Sequence, residues 1–158
     1  MFTTLLGEHR MNFTATDTAI VPTYATEQSA GADLYADNVN GMKGEWTLQI
    51  NPGETIKVGT GVCVALPEGY FGGIYARSGL ATKQGLAPAN KVGVIDADYR
   101  GELIVALHNH SSIPQMLHSG DRIAQIVIIP YIRPIWNKVE SLDETERGEG
   151  GFGSTGKN

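Results

Sequence analysis

The feature that most limits the possible folds of this chain is the short spacing of its apolar residues. No stretch of twelve or more residues repeats its apolar positions with the 3.6-residue period of an amphipathic helix. Short runs rich in β-branched and aromatic residues alternate instead with turn residues, and 20 glycines and 7 prolines are spread along the 158 residues. Such runs are typical of strands. Strands are predicted at 46–50, 55–58, 61–66, 70–76, 92–95, 102–109 and 123–132.

Many short strands divided by turns predict an all-β barrel or sandwich. The length suits one domain with its own core and is too short for two domains of ordinary size. The one helical signal is a short turn at 79–83, and Ser78 precedes it as a candidate N-cap. We therefore expect a single β domain with one short helix.

The charge pattern argues against one class of ligand. The formal net charge is -5 and no basic stripe runs along the chain, whereas proteins that bind polymeric nucleic acid need Lys and Arg to displace counterions. No apolar stretch has the length of a signal peptide or a membrane span. The single cysteine, Cys63, stands between two valines, where a small buried hydrophobe is expected. We expect a cytoplasmic protein without a membrane or nucleic-acid partner, and a mononucleotide remains allowed.

The segment 93–101, GVIDADYRG, carries the densest chemistry. It puts Asp96, Asp98 and the ring of Tyr99 between two β-branched runs, so a β-hairpin with a tight turn is predicted. A turn aspartate commonly hydrogen-bonds to nearby backbone amides and does nothing more. An ionised carboxylate held there can also orient a water molecule and accept its proton. The segment alone leaves both interpretations open.

A second candidate site is formed by Arg77, Ser78 and Gly79. Arginine offers a fixed fork of donors for phosphate oxygens, and phosphates favour the start of a helix. The same three residues also suit a solvated loop. They indicate an anion site only in combination with other features of the chain.

The glycine-rich C-terminal run fits two nucleotide motifs by letter. Residues 148–153 match G-x-G-x-x-G and residues 151–157 match G-x-x-x-x-G-K, but both motifs need a following helix. The chain given ends at Asn158, which stands where a P-loop needs Ser or Thr. We therefore expect a mobile arm that orders on substrate and excludes water, not a P-loop.

Five stretches, in order along the chain, resemble the five signatures of the trimeric dUTPase family, enzymes that cleave dUTP to dUMP and pyrophosphate. They cover most of the chain: 29–34 (SAGADL), 76–81 (ARSGLA), 93–101 (GVIDADYRG), 120–125 (GDRIAQ) and 147–156 (RGEGGFGSTG). Tyr75 and Ala76 stand where many relatives carry a proline, and the spacer 38–45 is longer than usual. We interpret that spacer as a surface loop.

The resemblance implies one domain over 1–158, a distorted, jelly-roll-like β-barrel with one short helix. Residues 1–10 are expected to be an extension, and residues 147–158 are expected to form a C-terminal lid. It also implies hydrolysis of dUTP by water attack at the α-phosphorus, which keeps uracil out of DNA and supplies dUMP for dTMP synthesis. Asp96 is the expected catalytic base, in agreement with the chemistry of a turn carboxylate.

Substrate-binding residues fall into three groups. Asn90, Gly93 and the main chain of Val94 and Ile95 are expected to face the uracil edge, with the Ile104 backbone contributing, while Tyr99 packs on the deoxyribose. Arg77, Ser78, Gly79 and Gln125 are expected to face the phosphates. The arm adds Arg147, Gly153, Ser154 and Thr155 for the phosphates and Phe152 to stack on the base.

The resemblance further implies Mg2+, which bridges triphosphate oxygens, with Asp33 as the protein group expected to steer it through water. It implies a homotrimer whose sites are each built from three chains: one gives the turn of 93–101, a second the Arg77 loop and the third the arm. His108 and His110 alternate along a predicted strand, but without a third ligand we do not expect a metal there.

Two alternatives remain open at this point. A dCTP deaminase of the same fold would use a glutamate and a different hairpin to activate water at the pyrimidine ring. A nucleotide-responsive binding module would signal through a partner, with residues 1–10 and 38–45 as candidate contact surfaces.

Overall fold

The computed structural model describes residues 10–151. In that range the chain is almost entirely β, with a single helix, α1 (Ser78–Gln84). The strands are β1 (Asn12–Ala15), β2 (Thr23–Tyr24), β3 (Ala32–Tyr35), β4 (Asn38–Val39), β5 (Thr47–Ile50), β6 (Thr55–Ala65), β7 (Tyr70–Tyr75), β8 (Leu86–Pro88), β9 (Gly93–Ile95), β10 (Glu102–Asn109), β11 (Gln115–His118) and β12 (Arg122–Pro130).

The strands form two five-stranded sheets and one two-stranded ribbon. In the first sheet β6 pairs with β1, β4 and β10, and β10 also pairs with β8. In the second sheet the order is β2, β3, β12, β7, β9, and β5 pairs with β11 in the ribbon. The predicted all-β class and the single short helix are confirmed. The predicted barrel is not closed in the described residues, where the two large sheets stay separate.

One core lies between the sheets. Alternate residues of β10, Leu103, Val105 and Leu107, are buried, whereas Ile104 between them is exposed, as the period-2 geometry of a strand requires. Val58 and Val62 of β6 and residues of the second sheet join the same cluster, among them Leu34, Ile74, Ile123 and Ile126. Burying both inner faces fixes the register of each sheet, because a one-residue slip would turn every apolar side chain outward.

Two local predictions are wrong. The runs on either side of Asp96 do not form a hairpin with each other: β9 pairs with β7, and β10 pairs with β6 and β8. Residues 96–101, here called the acidic turn, therefore connect the two sheets. Ser78 is not the N-cap of the helix, because Arg77 holds that position with an extended backbone and Ser78 is the first helical residue.

The segment 38–45 is an exposed loop only in part. Val39 at its start is buried and pairs with β6, while the residues from Asn40 to Glu45 are exposed. Among the described residues, no helix has the length and apolar character needed to cross a membrane.

Candidate active site

The turn that carries Asp96 is closed by bonds within itself. The N–H of Tyr99 donates to the carbonyl of Asp96 at 3.1 Å, and Arg100 Nη1 donates to the carbonyl of Ala97 at 2.7 Å. The Tyr99 hydroxyl donates to the carbonyl of Glu102 at 3.0 Å. A Cβ on Gly101 would collide with that hydroxyl, so glycine is required beneath the ring. These contacts make the turn a compact unit that presents Asp96 to solvent.

Asp96 lines an open cleft of about 670 Å³ at the end of the second sheet. Two other carboxylates, Asp98 and Glu68, line the same cleft, and Arg133 is the basic side chain on its wall. Phe71 and Tyr131 also line it and meet edge to face, with ring centroids 6.3 Å apart. The cleft thus combines an exposed carboxylate with an aromatic wall, a setting in which a water molecule can be held beside a bound ligand.

Most of the residues predicted to face uracil lie on β9, which leads into this turn, and Asn90 lies just before that strand. Asn90 is exposed, and its amide lies close enough to Gly93 that a Cβ there would stand 3.4 Å from Nδ2. Val94 is 62% exposed and lines the cleft, while Ile95 is half-buried. Tyr99, predicted to pack on the sugar, is exposed and folds back over its own turn.

Ile104 lies on the next strand, with its side chain exposed. β6 pairs with β10 at this residue, whereas β8 pairs with β10 only from Leu107 to Asn109.

The predicted phosphate residues meet in a second cavity, of about 540 Å³. Arg77, Ser78 and Gly79 form one side at the start of α1. Gln125 of β12 and residues 29–31 line the rest, with Asp33 between them. The structure therefore gathers three of the five signature segments around one small polar cavity.

Asp33 is buried at the base of this cavity and holds two arginines. Arg77 Nε donates to Asp33 Oδ1 at 2.6 Å, and Arg122 Nη1 donates to Oδ2 at 3.2 Å. The sequence did not single out Arg122 as a site residue. The position of Arg122 in the segment 120–125, near Gln125, could have indicated a role in the site. Its bond to Asp33, however, depends on the pairing of β12 with β3, which the sequence does not show.

Gln125 is fixed by contacts on both sides of its carboxamide. Its Nε2 donates to the carbonyl of Ala76 at 2.9 Å, and a Cβ on Gly31 would collide with its Oε1. Since a carboxamide nitrogen carries two hydrogens, one donor besides that bond remains for a ligand in the cavity. The glycine at 31 is what lets this side chain lie flat against the β2–β3 connection.

The cleft beside Asp96, here called the acidic cleft, and the cavity beside Arg77, here called the basic cavity, lie at opposite ends of one sheet. β7 pairs Gly72 with Ile95, just before Asp96, and pairs Tyr75 with Gln125 on its other side. From the rise per residue and the spacing of strands, the backbones at Asp96 and Gln125 are roughly 16 Å apart. A single chain therefore does not bring its own Asp96 next to its own phosphate cavity.

The donor set of the basic cavity tests the fit of Mg2+. Asp33 is the carboxylate that lines it, both its oxygens accept from arginines, and the described residues contain no group of three or more His, Cys, Asp or Glu side chains placed to hold a metal. This arrangement suits a Mg2+ that keeps its water shell and is held mainly by phosphate oxygens. It does not form a metal cage of protein ligands.

His108 and His110 pack against each other, with ring centroids 4.3 Å apart. The Nδ1 atom of His108 hydrogen-bonds with the Thr55 hydroxyl at 2.7 Å. Desolvation, together with the charges of His108 and Lys91, lowers the pKa of His110 below its ordinary value.

The C-terminal segment is described as far as Gly151. Arg147 Nε donates to the carbonyl of Gly150 at 2.9 Å, which closes a turn at the start of the glycine-rich run. The other predicted arm residues, Phe152, Gly153, Ser154 and Thr155, lie outside the described residues.

Fold and site together define an all-β protein that presents the acidic cleft and the basic cavity at opposite ends of one sheet. The dUTPase family model matches residues 17–156. The chain is 48% identical over 139 residues to the deoxyuridine 5'-triphosphate nucleotidohydrolase of Wolbachia sp. subsp. Brugia malayi, covering 87% of this chain and 85% of that protein. It is 49% identical over 137 residues to the enzyme of the same name from Desulfitobacterium hafniense, covering 86% and 87%. The chain belongs to the dUTPase family.

Solved structures agree with this assignment. The dUTPase of Staphylococcus bacteriophage 80alpha, solved as a mutant with dUpNHpp, superposes with a TM-score of 0.81 at 27% identity, covering 93% of this chain and 98% of that one. A mutant dUTPase from phage phi11 of S. aureus, whose structure describes the coordination of a structural Mg(II) ion, superposes with a TM-score of 0.70 at 25% identity and covers 84% and 98%.

Proposed function

We propose that this chain hydrolyses dUTP to dUMP and pyrophosphate, with Asp96 as the general base. The observation that carries the residue assignment is the placement of Asp96 on a closed, rigid turn at the edge of an open cleft. Membership of the dUTPase family supports the reaction itself. A cytoplasmic location fits an enzyme that acts on the nucleotide pool.

The reaction needs one proton acceptor and one aligned water. The Asp96 carboxylate accepts a proton from water as the water oxygen forms a bond to the α-phosphorus, in line with the bond to the β-phosphate bridging oxygen, which breaks. The products are dUMP and pyrophosphate, and the proton then passes from Asp96 to solvent. An exposed Asp96 suits both steps, because it meets water directly and returns its proton without a relay.

Base selection is assigned to the strand leading into the turn. Backbone groups of Val94 and Ile95, with the Asn90 amide, present donors and acceptors to the uracil edge. Cytosine exchanges a donor and an acceptor at that edge, so it would leave buried polar groups unpaired and bind far less well. A close fit beside the same edge excludes the methyl group of thymine. Tyr99 is assigned to the sugar face, where a 2'-hydroxyl would collide, and the Ile104 backbone to the rim of the base.

Phosphate binding is assigned to the basic cavity and the arm. Arg77, the amide groups at Ser78 and Gly79, and Gln125 converge on one cavity, and arginine with a helix start is a common combination for phosphate. Mg2+, when bound, neutralises charge on the triphosphate oxygens, and Asp33 is assigned to contact it through water. Arg147 and the arm residues Phe152 to Thr155 are assigned to close over the substrate and exclude water.

A homotrimer with sites shared between subunits is supported by the same geometry. The two halves of the site are roughly 16 Å apart in one chain, by strand geometry, and in the proposed assembly a second copy supplies the missing half. The segment after β12 exposes large apolar side chains, with Ile132 90%, Ile135 96% and Trp136 93% exposed. Apolar side chains exposed in this way favour burial against another chain.

The proposal is tested by pyrophosphate release from dUTP, dTTP, dCTP and UTP, measured for the wild type and for Asp96→Asn. We expect rapid release from dUTP alone, and loss of turnover by at least about 10²-fold in the variant with little change in substrate affinity. Equal turnover in Asp96→Asn removes this residue from the mechanism. Release of ammonia from dCTP, assayed in parallel, identifies a deaminase instead.

A further inference from the structure

The side chain of Glu102 bonds to two other elements of the fold directly after the acidic turn. Its Oε1 accepts from the backbone N–H of Gly61 on β6 at 2.6 Å and from Nδ2 of Asn38 on β4 at 2.7 Å. Glu102 does not line the acidic cleft and is half-buried. Its carboxylate therefore contacts the fold and not the candidate substrate space.

The strand ladder is irregular where these bonds form. Glu102 pairs with Cys63 and Ile104 pairs with Gly59, so three residues of β6 stand opposite Leu103 alone. Gly61 lies within this bulge with a left-handed backbone, φ 68°. A bulge interrupts ladder bonds, and the Glu102 carboxylate gives the N–H of Gly61 a partner in their place.

The neighbouring residues leave room for this side chain and continue its network. A Cβ on Gly59 would fall on the Glu102 carboxylate and on the Asn38 amide. Asn38 Nδ2 also reaches Asp37 Oδ2 at 3.3 Å, and Asp37 is only 4% exposed. The anchor at Glu102 is thus tied through Asn38 to a buried residue.

The acidic turn is closed within itself and joins the fold at its two ends. One end is held by the pairing of Ile95 with Gly72 on β7. The other end is Glu102, which still pairs with Cys63, and its side chain adds bonds to Gly61 and Asn38 where the bulge interrupts the ladder. The Glu102 bonds therefore help to fix the orientation of the turn at this end.

We propose that Glu102 is a positioning residue for hydrolysis: by bonding to Gly61 and Asn38 it fixes the acidic turn, so that Asp96 meets the attacking water in line with the phosphorus. This inference rests on the proposed function, in which Asp96 is the base. Because the effect acts through an acceptor oxygen, the neutral isostere glutamine keeps it and alanine removes it.

The test compares Glu102→Ala with Glu102→Gln in steady-state dUTP hydrolysis. We expect kcat/KM to fall about ten- to hundredfold in Glu102→Ala, since small misplacements of a reacting group cost this much, and to stay within about threefold of wild type in Glu102→Gln. Glu54→Ala is the matched control. The Glu54 Oε2 atom also accepts from a backbone N–H, of Asn51 at 2.8 Å, and from the Asn51 amide at 3.2 Å, but in a turn away from the cleft. The Glu54→Ala substitution should lower the melting temperature and leave kcat/KM unchanged.

Wild-type kcat/KM in Glu102→Ala overturns the proposal. An equal loss in Glu102→Gln also overturns it, because that result would point to the charge instead of the bonds. If Glu102→Ala fails to fold, Asn38→Ala is measured in its place, because this variant removes one donor to Glu102 and keeps the bond from Gly61. Unchanged kcat/KM in Asn38→Ala also overturns the proposal. Asp96→Asn is measured in the same series. A wild type that does not hydrolyse dUTP refutes the proposed function, whereas a dead Asp96→Asn beside an active Glu102→Ala refutes the positioning role alone.

Discussion

Asp33 holds the arginine of the phosphate cavity by one particular nitrogen. Its carboxylate accepts from Nε of Arg77, so the two terminal amino groups of that guanidinium, with four hydrogens, are left to face the cavity. Arg122 bonds to the other carboxylate oxygen and completes the pairing. Asp33 therefore has two candidate roles. Its bonds to Arg77 and Arg122 allow it to align an arginine, and its carboxylate could instead contact Mg2+ through water.

The two roles of Asp33 make different predictions for Asp33→Asn. If Asp33 aligns Arg77, dUTP binding weakens by about 2 kcal/mol, because the carboxamide has one acceptor oxygen in place of two and no longer holds the Arg77 guanidinium in its orientation. The loss should be equal with Mg2+ and with EDTA. We would measure it by calorimetric titration of dUTP in an Asp96→Asn background, where substrate survives.

The control for this comparison is Asp121→Asn. Asp121 is also bonded to its neighbours, accepting from the His118 N–H at 2.8 Å, but it is only half-buried and does not line the cavity. The Asp121→Asn variant should bind dUTP with the same affinity as the protein that retains Asp121. A loss in Asp33→Asn that appears only with Mg2+ would assign Asp33 to the metal and not to Arg77.

At the scale of elements, composition predicted the strands that build the core. The predicted runs 70–76, 102–109 and 123–132 correspond to β7, β10 and β12 within two residues, because β-branched residues pack well on a half-buried sheet. The runs 55–58 and 61–66 are one long strand, β6, since its glycines are accommodated by a bulge. The missed strands are all short. β1, β2 and β11 are mostly exposed and leave little apolar signal, whereas β3, β4 and β8 are buried or half-buried but only two to four residues long.

Strand partners were less predictable than strands. The sequence around Asp96 shows a turn between two strands, but which strands pair depends on contacts far away along the chain, and β9 and β10 enter different sheets. For the same reason the motifs located Arg77 and Gln125, while the bonds of Arg122 and Glu102 became visible only in the fold. Motif residues carry their own chemistry, whereas their supports are set by tertiary contacts.

The C-terminal segment supports a prediction about activity without stability. Every residue of the buried core in the described range precedes Pro130, so deleting the residues after Arg147 removes none of these core residues. We expect the truncated protein to keep its melting temperature within about 2 °C and to lose most dUTP hydrolysis, because the arm residues proposed for the phosphates are gone. Circular dichroism melts and pyrophosphate release measure the two quantities. Normal hydrolysis by the truncated protein would rule out the lid.

At the scale of the whole molecule, the separation of the acidic cleft and the basic cavity, the two half-sites, supports the proposed assembly. Within one chain the sheet holds the acidic cleft and the basic cavity at opposite ends, and rigid pairing through β7 prevents them from approaching. Both half-sites are nevertheless open to solvent, as a partner's complementary half requires. The exposed apolar side chains after β12 supply area to bury in that contact.

Mixing two inactive variants tests this arrangement. Asp96→Asn lacks the base and Arg77→Gln lacks the phosphate donor, but in a mixed trimer one interface pairs an intact turn with an intact Arg77 loop. Random one-to-one mixing makes about three quarters of the trimers mixed, each with one intact site of three, so activity should return to about a quarter of wild type. Mixing after unfolding and refolding together is compared with mixing of the folded proteins, which should stay inactive while subunits do not exchange, and native mass spectrometry verifies the mixed trimers. Absence of recovery in verified mixed trimers would mean that each site belongs to one chain.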